Sequence, residues 1–130
     1  MVDIRVRVAL DEARRIMCQA DLLWASLWAG KESSTYIPSK IFEYIAAERP
    51  ILGFFPEGEA ADLIRQTNTG IVFTSEEPEP IIRALGQALE SKKKDGILYS
   101  PNEDVINQYH IRRIVEKVNG HLISLSNREN

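Results

Sequence analysis

At 130 residues, 44% hydrophobic and 27% charged, the chain has the size and composition of one folded domain with a single core. Its net charge of −3, with basic residues scattered except for Lys92-Lys93-Lys94, argues against general nucleic-acid binding, which needs a basic face. No apolar run reaches the roughly 20 residues of a membrane span, and the charges at Asp3, Arg5, Arg7, Asp11 and Glu12 leave no expectation of a signal peptide. A lone Cys18 excludes an internal disulfide, which fits a reducing cytoplasm.

Residues 4–8 alternate apolar and charged, the pattern of a half-exposed strand. Asp11 is expected to cap a helix whose apolar stripe holds Ala13, Ile16, Met17 and Cys18. Residues 22–28 are apolar on both parities and predict a strand covered on both faces, with Trp24 and Trp28 in the core. Residues 30–35 read as a polar loop, and 38–47 as a helix with Ile41, Tyr44 and Ile45 on one face. Residues 51–55 form a short buried strand closed by Pro56, 58–66 a helix, and 70–73 a fourth strand. Pro80 is expected to open a long helix with the stripe Ile81, Ile82, Leu85, Ala88 and Leu89. After a turn near Asp95-Gly96, Pro101 and Asn102 introduce a last helix over 105–122, and 124–130 form a polar tail. Short buried strands alternating with helices predict an α/β fold, a parallel sheet of about four strands with helices on both faces, as one domain over 1–123.

The most informative stretch is 37–52. Pro38 suits the first helical position, where its missing N–H has no intrahelical partner to lose. The free amides of that turn, with the helix dipole behind them, suit an anion. Glu43 follows close enough to accept hydrogen bonds from the hydroxyls of a molecule docked there. The run Pro38-Ser39-Lys40-Ile41-Phe42-Glu43-Tyr44, followed by Glu48-Arg49-Pro50-Ile51, resembles the donor-binding motif of GT-B glycosyltransferases of the family-4 type. The resemblance extends back to Ala20-Asp21-Leu22-Leu23 and forward to Asn68-Thr69-Gly70-Ile71-Val72. It covers roughly residues 5–120.

That resemblance implies a partial, Rossmann-like donor domain binding a nucleotide diphosphate sugar as substrate, with no metal or other cofactor called for. Glu43 would accept from the ribose hydroxyls, Ser39 donate to a phosphate and Lys40 neutralise one. Thr35 stands where many members carry a glutamate that faces the transferred sugar, and Glu48 stands where they carry a glycine. The N-terminal acceptor domain and the first βα units, with their diphosphate-holding arginine and lysine, have no counterpart in these residues. The fragment is therefore expected to be inactive alone. The flank of strand 22–28 is expected to be covered by residues 4–8, by a partner chain or by a second copy.

Each residue also has a plainer reading. Glu43 then answers the helix dipole, Ser39 bonds backbone at a helix start, and Lys40 is solvated. Asp21 is structural, and His110 and His121 have no metal-type partners at useful spacing. The competing function is a non-catalytic Rossmann-like binding or assembly module. A flavodoxin-like or response-regulator-like domain is weaker, because Asp3, Asp11 and Asp21 do not cluster as the latter requires.

Overall fold

A computed structural model describes residues 2–4, 7–27, 35–74, 78–93 and 99–126. Three short strands, β1 (Leu23–Ser26), β2 (Ile51–Phe54) and β3 (Gly70–Phe73), form a parallel sheet in the order β1-β2-β3. Leu23 lies opposite Ile51, and Ile51 opposite Gly70. The helices are α1 (Leu10–Gln19), α2 (Ser39–Ala46), α3 (Glu59–Thr67), α4 (Pro78–Lys93), α5 (Glu103–Ile106) and α6 (Ile111–Ser126). A 3₁₀ turn, Asn107–Tyr109, joins the last two.

The sequence builds the core from one face of this sheet. Successive right-handed crossovers along an advancing strand order carry α2 and α3 to the same side. There Ile41 and Ile45 of α2, and Ala60, Ala61, Leu63 and Ile64 of α3, pack with Ala25, Ile51 and Phe55. Ile41 and Ile64 are fully buried, each contributing about 2 kcal/mol of apolar transfer. The opposite face carries Trp24, Leu52, Phe54, Ile71 and Phe73, which share strand parity across the register. On it Trp24 stacks on Phe54 at 4.1 Å between centroids, and Phe54 on Phe73 at 5.5 Å.

The turn from α3 into β3 is closed by buried hydroxyls. Thr67 Oγ1 bonds the Leu63 carbonyl at 2.6 Å and shares a 2.8 Å bond with Thr69 Oγ1. Asn68 between them takes the left-handed conformation at φ 50°, which asparagine tolerates, and its amide donates to the Ser100 carbonyl at 2.6 Å. Asn102 N–H donates to the Thr67 carbonyl at 2.7 Å, and its side chain caps α5 by accepting from Val105 N–H. Gly70 enters β3 against Ile51. A Cβ there would fall inside the contact distance of the Ile51 backbone, its carbonyl oxygen above all. On the other side of the sheet's amino edge, Arg49 Nε donates to the Cys18 carbonyl at 2.7 Å and ties down the end of α1.

Several expectations need correction. The sheet has three strands among the described residues: Ile4, Arg7 and Val8 are exposed and unpaired in any strand, while Arg5 and Val6 lie outside those residues. In the described part of the expected strand 22–28, residues 23–26 form the strand, with buried and exposed residues alternating. Trp24 is 56% exposed rather than in the core, because strand alternation sends it to the less covered face at the sheet edge. Trp28, most of the 30–35 loop and the turn at Asp95-Gly96 lie outside the described residues. Ala9, not Asp11, is the N-cap of α1; that helix has no buried residue, and Cys18 is exposed.

α4 opens at Pro78; of its expected stripe Ile82, Leu85 and Leu89 are exposed and Ile81 and Ala88 half-buried, while Ala84, outside that stripe, is buried. The single last helix is two, broken where His110 turns extended at φ −64° and ψ 133°. The second piece, α6, runs through Ser124 to Ser126, and residues 127–130 lie outside the description. No helix among the described residues is long and apolar enough to cross a membrane.

The helix-ending turn after α2 places Glu48 at φ 54°, the left-handed region that favours glycine. Glu48→Gly should therefore raise stability by about 1 kcal/mol in urea denaturation, whereas Glu48→Ala should not. Gly70→Ala should lower it by about 3 kcal/mol, because the added methyl overpacks backbone that cannot yield. An unchanged midpoint in Gly70→Ala would rule out this strand approach.

Candidate functional site

The apolar residues of α2 decide which of its polar residues face solvent. Ile41 and Ile45 are buried and Tyr44 is half-buried beside them, which leaves Ser39, Lys40, Phe42 and Glu43 exposed. The helix opens at Ser39. Pro38 is its N-cap, extended at φ −61° and ψ 130°, one residue earlier than the expected first helical position. Proline there offers no side chain to the first-turn amides. The first closing bond runs from Ile41 N–H to the Pro38 carbonyl at 3.0 Å. The amides of Ser39 and Lys40 precede it and have no intrahelical acceptor, so the positive end of the dipole is open to a ligand.

Because β1 and β2 are parallel, the connection leaving β1 delivers the start of α2 to the carboxyl edge of the sheet. Open α/β sheets bind ligands at that edge. Glu43 lies one helical turn from Ser39 and on its face. No acidic residue occupies the first turn of α2, so the helix dipole does not account for Glu43. Thr35 is exposed on the approach to the helix. The structure thus puts Ser39 and Lys40 at the start of α2 and Glu43 one turn further along the exposed side, with Pro38 setting the helix direction and Thr35 just upstream.

Arg65, another cation of this region of the chain, is engaged: its guanidinium forks onto Glu57 at 2.6 and 2.9 Å and reaches Asp62 at 3.4 Å. The Arg65 hydrogen bond holds the Glu57 carboxyl below its ordinary range. Among the described residues no three His, Cys, Asp or Glu side chains gather as metal ligands.

A feature without a sequence signal lies at the other end of α2. Phe42, Ile45 and Glu48 face Tyr99, Glu103 and Tyr109 across a groove. No periodicity connects these segments; the Asn102 backbone N–H and the Asn68 side-chain amide tie residues 100–102 to the α3–β3 turn, and the Tyr99 hydroxyl reaches the Ile45 carbonyl of α2.

Two phenols report on these ends. Burial, and then the Glu43 carboxylate, raise the Tyr44 pKa; burial, then Glu103 and Glu48, raise that of Tyr99. Both folded values exceed the ordinary 10.0, so the stability gained by keeping the phenols neutral is complete below pH 10. It is lost as pH rises through the folded values. Tyr44→Phe and Tyr99→Phe should each lose less stability than the parent over that alkaline range, measured by urea denaturation at stepped pH. A parent-like fall in both variants would contradict the assignment.

Compared with protein-family models, curated proteins and solved structures, the chain matches none of them.

Proposed function

We propose that this chain is a Rossmann-like donor-binding part of a GT-B-type glycosyltransferase, holding a nucleotide diphosphate sugar for transfer to a glycan or glycoconjugate acceptor. One observation carries the reading: the charged and hydroxyl side chains Ser39, Lys40 and Glu43 of the 38–44 motif all face solvent. Ile41 is fully buried and Phe42 exposed, while Ser39 and Lys40 stand exposed where α2 opens at the carboxyl edge of a parallel sheet and Glu43 follows one turn on.

In this reading the amides of Ser39 and Lys40 and the Ser39 hydroxyl hold phosphate oxygens, and Lys40 offsets their charge. Glu43 accepts hydrogen bonds from the ribose hydroxyls, and Thr35 lies toward the sugar. The positive helix end and Lys40 would stabilise the leaving diphosphate, which is electrostatic assistance to bond cleavage. The strand order supports the same reading. β1-β2-β3 fits strands 4, 5 and 6 of the order 3-2-1-4-5-6, which leaves the outer edge of β1 for the remaining strands. The acceptor domain and diphosphate clamp would come from further chain or a partner, in the cytoplasm, and the present residues alone would not turn over.

A second reading, a non-catalytic binding or assembly module, is favoured by a different observation. Along α6, Ile111, Ile114, Val115, Val118 and Leu122 are 42–66% exposed, and on the sheet Trp24 and Ile71 are also open. Apolar surface of that extent suits a partner chain or a second copy.

Calorimetry with UDP, GDP and UDP-sugars distinguishes the two. The donor reading expects one nucleotide to bind and Glu43→Ala to weaken it about tenfold, a loss of about 1.4 kcal/mol. Silence with every nucleotide would favour the assembly module. Binding untouched by Glu43→Ala would reject the residue assignment.

A further inference from the structure

Between the carboxyl end of α2 and the α5–3₁₀ segment lies a groove of about 270 Å³. Ile45, Ala46 and Ile106 give it an apolar lining. Phe42 and Tyr109 form an aromatic wall, with centroids 5.9 Å apart and rings tilted by 49°. Their side chains remain 39% and 38% exposed, so aromatic surface stays open to a ligand. Tyr99 adds a third ring, its hydroxyl reaching the Ile45 carbonyl at 3.5 Å.

The electrostatics of this groove have one sign. Glu48 and Glu103 both line it, and neither is ion-paired among the described residues. Both line the groove together with Tyr99, and their charges add to burial in raising the pKa of its phenol. α2 ends here and contributes the negative end of its dipole. Of the lining residues only His110 can become cationic. Its Nδ1 accepts from Arg112 N–H at 3.4 Å.

We propose that this groove binds the guanidinium of an arginine side chain supplied by a partner polypeptide. The match is chemical. A guanidinium is planar and cationic, so it stacks on Phe42 and Tyr109 while its fork of N–H groups donates to Glu48 and Glu103. The methylene stem lies along Ile45, Ala46 and Ile106, as long basic side chains cover apolar surface. A lysine ammonium has the charge without the plane. The volume is just below the range of about 300 Å³ upward that small-molecule sites occupy, and suits one side chain rather than a nucleotide. The groove is at the opposite end of α2 from Ser39 and Lys40, so it stands independently of the donor reading.

The test is a titration of the whole chain with the peptide acetyl-Gly-Arg-Gly-amide, followed in amide proton–nitrogen correlation spectra. Matched peptides carrying lysine or citrulline in place of arginine run beside it. Saturable shifts should centre on Phe42, Glu48, Tyr99 and Tyr109, with a Kd on the order of 1 mM for one anchored side chain. Binding should weaken with salt, because the attraction is between partly exposed charges. The double variant Glu48→Gln, Glu103→Gln should bind about tenfold more weakly while keeping its spectrum and thermal midpoint. Phe42→Ala should remove the preference for arginine over lysine. Equal binding of the citrulline or lysine peptide by the parent chain, shifts centred elsewhere, or an unaffected double variant would each overturn the proposal.

Discussion

The close approach of β3 to β2 at Gly70 is the constraint on which the rest of this structure depends. With only four residues per strand, the sheet has few ladder bonds to spare, and Ile51 N–H donates to the Thr69 carbonyl directly before the approach begins. The Thr67–Thr69 hydroxyl pair holds the chain in that path, and the Thr67 carbonyl then receives Asn102 N–H. One turn therefore fixes the end of α3, the start of β3 and the position of α5. Burying two hydroxyls is tolerable because each has a partner; left unbonded, each would cost about 1–3 kcal/mol.

The same turn explains what was legible from sequence. Asn68-Thr69-Gly70 was readable as a strand entry because each residue answers a local demand: left-handed backbone, a buried bonded hydroxyl and a missing Cβ. α2, β2, α3 and β3 likewise fall within a residue or so of their sequence bounds, since caps, Pro56 and apolar spacing act locally. Periodicity was less informative about α4 and α6. It shows that a helix has an apolar side, not what covers that side, and here Ile82, Leu85, Leu89 and most of α6 remain open. Trp24 was misjudged for a related reason: an aromatic in a strand reads as core unless the strand's place at the sheet edge is known.

The candidate site was legible in type and less so in place. Ser39 and Lys40 do open α2 and Glu43 follows on its exposed side, but Pro38 precedes the helix rather than opening it. The free amides of the first turn are those of Ser39 and Lys40, and Glu43, the fifth helical residue, lies past the turn in which the dipole acts. The plain reading of Glu43 as a dipole-stabilising glutamate loses its physical basis. Glu48 shows the opposite case. It stands at a position where the resemblance expects glycine, and the turn proves left-handed, with glutamate bearing a backbone strain of about 1–2 kcal/mol.

That strain falls at the mouth of the groove, where Glu48 also supplies one of two carboxylates that have no cationic partner among the described residues. A glycine would relieve the backbone and remove the charge in one step, so the stability of the turn and the negative potential of the groove are in opposition at this position. α2 itself is bound at its middle by Ile41 and Ile45, and its two ends present opposite electrostatic signs. The amino end meets Ser39 and Lys40 and suits an anion. The carboxyl end meets Glu48 and Glu103 and suits a cation. One short helix pinned by two isoleucines thus gives the domain two chemically distinct surfaces, and moving either isoleucine would disturb both.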